Sequence, residues 1–78
     1  MNTAQIVEVE TLIDDLRDEL DELATKKMSL SRWAETALVF ASIVEAWGLL
    51  AELQPTPENR QEARRLRRTL LAMSAGRA

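Results

Sequence analysis

Histidine and cysteine are both absent from this chain of 78 residues. Without cysteine there can be no disulfide and no thiolate metal site, and the redox compartment cannot be read. Without histidine the commonest metal ligand and the commonest general base near neutral pH are gone. Serines and threonines are present, but no imidazole exists to activate them, and the only lysines, Lys26 and Lys27, fall at an expected helix end. Glycine is confined to Gly48 and Gly76, which excludes a Gly-rich phosphate loop. Proline is confined to Pro55 and Pro57. The chain start has neither a basic segment nor an apolar run, so neither a signal nor a transit peptide is expected, and the expected location is cytoplasmic. Together these absences point to a protein without catalytic residues, metal or cofactor, which works by binding.

The length allows one domain, 1–78, with residues 75–78 expected as a loose tail. A chain this short buries a modest core and depends on good helix packing or on a partner subunit. Arginine outnumbers lysine eight to two, a composition that suggests a GC-rich bacterium or its phage.

The net charge of −3 conceals a polarity. The first 25 residues hold Glu8, Glu10, Asp14, Asp15, Asp18, Glu19, Asp21 and Glu22 against Arg17 alone. From Pro55 onward the balance reverses, with Arg60, Arg64, Arg65, Arg67, Arg68 and Arg77 against Glu58 and Glu62. Opposite charge at the two ends invites pairing with each other or with outside partners.

The apolar spacing predicts an all-α chain of three helices, about 3–28, 30–53 and 57–74. In the first, Ile6, Val9, Ile13, Leu16, Leu20 and Leu23 alternate steps of three and four, a coiled-coil-like heptad seam. Asn2 or Thr3 can cap its start, and Lys26 and Lys27 suit its end. Its acids form like-charge pairs at i,i+4, such as Asp14 with Asp18, which calls for something basic nearby. The boundary at 28–31 lacks Gly and Pro. Ser29 or Ser31 can cap a new helix there, and one continuous helix is the alternative.

The second helix carries Trp33, Phe40 and Trp47 at intervals of seven, with Val44 alongside. Another apolar stripe runs through Val39, Ile43, Ala46, Leu50 and Leu53. A helix this apolar needs cover on two sides. Trp33, Phe40, Val44 and Trp47 are therefore read as a core or subunit-interface stripe, and a homodimer through this helix is expected. The richest stretch, Ala37 to Ala51, holds Ser42 and Glu45 and is shorter than the roughly 20 residues of a membrane span, so no membrane role is expected.

The third helix has the clearest start, Gln54-Pro55-Thr56-Pro57-Glu58, with a threonine cap and proline at the first helical position. Ala63, Leu66, Leu70 and Met73 form its apolar face, and Gly76 can cap its end.

Two charged faces are the candidate contact sites. The acidic one comprises Asp14, Asp15, Asp18, Glu19, Asp21 and Glu22. It includes an ExxE match, Glu19 to Glu22, to one half of the metal-binding pattern of MazG-type nucleotide pyrophosphatases. The ExxD half is missing, so the oxygen-ligand set is incomplete. Regularly spaced carboxylates on a rigid helix can instead imitate nucleic-acid phosphates toward a protein built to bind them. In size and charge style the chain resembles small phage inhibitors of CRISPR complexes, without sharing a motif with them. The basic face comprises Arg60, Arg64, Arg67 and Arg68, with Leu71 exposed among them. The overall acidity and the lack of interleaved aromatics argue against nucleic acid as its ligand. The expected function is stoichiometric binding to a larger protein as inhibitor or adaptor, most specifically as a phage-encoded inhibitor of a bacterial defence (CRISPR-type) or regulatory protein in the host cytoplasm. A chaperone-like or scaffold subunit holding a partner helix is the second expectation, and a nucleic-acid or nucleotide binder using the arginines is the third.

Overall fold

A computed structural model describes residues 3–75, with side chains described for 3–73. It contains three helices, α1 (Thr3–Ala24), α2 (Leu30–Leu53) and α3 (Pro57–Ala75), and no strand among the described residues. The all-α reading is therefore correct, and helices 1 and 2 are separate. Asn2, Gly76 and the end of the expected tail lie outside the described residues, while Ala75 still belongs to α3.

The first helix stops four residues earlier than expected. After Ala24 the chain tightens, with the Thr25 and Lys26 amides donating to the carbonyls of Glu22 and Leu23 at 3.2 Å each. The Thr25 hydroxyl also donates to the Glu22 carbonyl at 2.7 Å. This threonine thus satisfies a terminal carbonyl that would otherwise await the next turn. Lys26 and Lys27 consequently sit in the link beyond the helix end. Ser29 is the cap of α2, in extended conformation, and its Oγ accepts the Arg32 amide at 3.1 Å. At the α3 start, Thr56 Oγ1 accepts the Asn59 amide at 3.1 Å, and Asn59 Nδ2 donates to the Gln54 carbonyl at 2.9 Å.

The links 25–29 and 54–56 are short, so consecutive helices run antiparallel and α1 and α3 point the same way. Both pack on α2. No Cα of α1 comes within 8 Å of one of α3. The overall extents, 43 × 24 × 14 Å, fit three helices standing side by side, since axes about 8–10 Å apart span roughly that width. The molecule is a shallow slab with α2 in the middle and α1 and α3 as its edges.

Two core clusters hold the slab together. Val9 and Ile13 meet Ala46 and Leu50 toward one end. Leu23, Val39, Ile43, Val44 and Leu66 form the second, with Leu16, Leu20, Phe40, Trp47 and Leu70 packed against it. The stripe Val39–Leu53 therefore faces α1, while Val44 and its neighbours face α3. Among the described residues no large side chain is fully sealed, and Ile13, Ile43 and Leu50 each keep about 3% exposure, which is what so thin a layer allows. By length and composition alone α2 is also long and apolar enough to cross a membrane. Here it is flanked on two sides and carries Glu35, Glu45 and Glu52.

Candidate functional site

A slab has two faces and two edges, and the side chains sort among them at about 100° per residue. On α2, the buried residues point toward the two edges. Phe40 and Trp47 lie in the arc between those directions, half-buried, and floor one face of the slab. The opposite arc holds Ser31, Glu35, Leu38, Ser42, Glu45, Leu49 and Glu52, all exposed. The first is the aromatic face and the second the leucine face.

Neighbouring residues fix which flanks of α1 and α3 belong to each face. Leu12 and Leu16 share a shallow groove with Ser42, Glu45, Ala46 and Leu49, so the flank of α1 containing Leu12 adjoins the leucine face. Arg60, Arg64 and Arg67 share another with Gly48, Ala51 and Glu52, on the other side of that face. The aromatic face is bordered by the opposite flanks, with Arg17 of α1 and Glu62 of α3. These are near enough for Arg17 to draw the Glu62 carboxyl below its ordinary range, after the larger effect of the hydrogen bond from Arg65.

The acidic residues are all exposed and spread around α1. Asp14, Asp18 and Glu22 occupy its outer edge, away from α2, and Asp21 lies between that edge and the aromatic-face flank of Arg17. Asp15 and Glu19 turn toward the leucine face beside Leu12. The basic residues Arg60, Arg64, Arg67 and Arg68 are likewise exposed, the first three along the leucine face and Arg68 toward the outer edge of α3 with Leu71 nearby. Within the chain the two sets do not meet, because α2 stands between them. The expected pairing of arginines with the carboxylates of the first helix is absent inside the described chain. The one ion pair among the described residues lies within α3, where Arg65 grips Glu62 through Nε–Oε1 at 3.0 Å and Nη2–Oε2 at 2.6 Å.

The aromatic stripe does not form one surface class. Val44 is buried, whereas Trp33, Phe40 and Trp47 are half-buried. Among the described residues no polar or charged residue is buried, and no group of three or more acids is placed to hold a metal ion. Arg32 Nε is the one buried side-chain polar atom there without a hydrogen-bond partner.

The leucine row escaped the sequence reading. Leu38 and Leu49 fall among the polar residues Ser31, Glu35, Ser42, Glu45 and Glu52 of the second helix. A helical wheel shows them there, between Glu35, Ser42 and Glu45. That is the signal available without coordinates.

No family model matches the chain, and comparison with curated proteins and with solved structures gives no match either.

Proposed function

We propose that this protein is a non-enzymatic binding module that docks the acidic outer edge of α1 onto a basic surface of a larger protein. The observation that carries this reading is the charge layout. The carboxylates of α1 stand exposed along a 22-residue helix, and the arginines that would neutralise them lie beyond α2. Like charges at i,i+4, such as Asp14 with Asp18 and Asp18 with Glu22, each cost the helix a few tenths of a kcal/mol. Among the described residues no cation is paired to them, and an outside partner that supplies cations would offset that cost. A protein surface that binds phosphates supplies suitable cations, and the complex would block that surface stoichiometrically, as an inhibitor does.

The test is capture from a bacterial lysate by the tagged chain, with protein and nucleic acid both measured in the eluate. It is repeated with a variant carrying Asp14→Lys, Asp18→Lys, Asp21→Lys and Glu22→Lys. The native chain should retain a protein that the variant loses, and added salt should weaken the capture. Circular dichroism should show the variant still helical, because all four positions are exposed and the reversals exchange one set of like-charge i,i+4 pairs for another of similar cost. Retention of the same protein by the variant would rule out the acidic edge as the contact. Capture of nucleic acid in place of protein would move the function to the arginines of α3.

A further inference from the structure

We infer that the leucine face binds a second copy of this chain, in a twofold dimer whose two α2 helices run parallel. Four of the exposed large apolar side chains lie on this face: Leu38 (70% exposed), Leu71 (63%), Leu12 (48%) and Leu49 (47%). Leu38 and Leu49 stand on the α2 row, Leu12 lies to the α1 side, and Leu71 lies among the arginines on the α3 side. The aromatic face, by contrast, keeps its rings half-covered by the flanking helices. The slab measures 43 by 24 Å, enough to supply the ~800 Å² per partner of a stable interface.

Charge identifies the occupant. Along the leucine face the α1 side presents Glu8, Asp15 and Glu19 around Leu12, and the α3 side presents Arg60, Arg64 and Arg67. The two rails overlap in height. Leu12 and Leu16 stand level with α2 residues 42–49, and Arg60 to Arg67 stand level with 48–52. A face with one negative and one positive rail is complementary to itself after its edges are exchanged.

Two twofold axes can stack such slabs face to face. An axis running across α2 lays α1 over the partner's α1 and α3 over the partner's α3, acid on acid and base on base. An axis running along α2 exchanges the edges, so each acidic rail lies over the partner's basic rail. Only the second arrangement is attractive at both edges, and like-charge juxtaposition excludes the first. The same axis keeps the two α2 helices parallel, because it leaves direction along α2 unchanged. Leu38 and Leu49, near the axis, then each meet their own copy. Glu45, two turns from Leu38 and one from Leu49, and Glu35 and Glu52 further along the row are the acids this contact must accommodate near the axis. The acids of the α1 outer edge and the whole aromatic face stay on the outside of the dimer, so this contact and the docking proposed above can coexist.

The purified full chain tests the inference without any lysate. Sedimentation at tens of micromolar should give a dimer, and a monomer there overturns the proposal. Leu38→Glu with Leu49→Glu, both at exposed positions, should weaken association by at least about tenfold while circular dichroism stays helical. Unchanged association would place the interface elsewhere. The lack of native cysteine makes direction readable. In the parallel dimer Leu38→Cys and Leu49→Cys each crosslink with themselves on oxidation. Crosslinking confined to a mixture of the two variants would mean antiparallel helices and would overturn the charge argument. Arg64→Glu with Arg67→Glu should weaken the dimer, and adding Asp15→Arg with Glu19→Arg should restore it. Failure of that rescue would remove the rails from the interface.

Discussion

Replacing Gly48 by alanine should make the chain more stable by about 0.5–1 kcal/mol. Gly48 sits well inside α2, and no described glycine has a positive φ, so nothing in the backbone requires glycine there. A Cβ built on it meets no heavy atom within 4 Å, so the added methyl meets no steric resistance. The gain comes chiefly from the unfolded chain, which loses conformational freedom when glycine is replaced. For a domain of this size the change corresponds to a rise in melting temperature of roughly 2–8 °C. Thermal melts followed by circular dichroism on dilute protein measure it directly. A fall in melting temperature would refute the reasoning, because it would require a neighbour pressed against Gly48 where the structure has open space. The position lies in the groove beside Arg60 and Arg64, so the melts belong at several concentrations. A gain present in dilute solution and lost at high concentration would report a second copy approaching that groove.

Truncating the most enclosed residues should have the opposite effect. Ile13→Ala or Leu50→Ala removes a side chain shared between α1 and α2 and should cost about 2–5 kcal/mol in urea denaturation, a large share of a small domain's total stability. Ser29→Ala deletes the hydroxyl that accepts the Arg32 amide and should cost about 1 kcal/mol by the same assay. Glu62 supplies a pH signature. Its carboxyl lies below the ordinary range, chiefly because Arg65 donates to it. That contribution is complete above about pH 4.3, the ordinary glutamate value, and is lost as pH falls through the lowered folded value. Arg65 is open to solvent, so screening keeps the effect small. Arg65→Ala should flatten that part of the acid denaturation curve, and an unchanged acid limb would show that the pair does not contribute.

The three helices were legible because each carries a periodic apolar face, and two of their starts carry chemical caps. Thr56-Pro57 and Ser29 act as their residue types predict. The end of α1 was not legible, since residues 25–28 contain neither Gly nor Pro, and the stop is made by a threonine hydroxyl reaching back to its own helix. The lateral order was not legible for a different reason. The apolar width of α2 shows that it needs two neighbours, but nothing in a periodic pattern says whether those neighbours also touch each other. That distinction decides the fate of the charges. Had α1 and α3 met over Phe40 and Trp47, the flanks that carry Arg17 and Glu62 would have come together. The candidate charged residues were legible as exposed groups, whereas their division between an outer edge and a leucine-face rail depends on where α2 lies.

The separation of α1 and α3 has a cause in the aromatic stripe. Two edges drawn together over the aromatic face would close the slab into a triangular bundle, with the flanks that carry Arg17 and Glu62 in contact. Between them lie Phe40 and Trp47, packed in the same cluster as Leu16 and Leu20 of α1 and Leu66 and Leu70 of α3. Side chains of this size fill the trough that closure would need, and interiors tolerate overpacking poorly. The rings thus act as spacers. Attraction between exposed charges across that width is largely screened, so it is weak beside the loss of this packing. The stripe therefore keeps α1 and α3 apart on the aromatic side, each packed on α2 alone. The acidic edge and the leucine face both stay open in this arrangement.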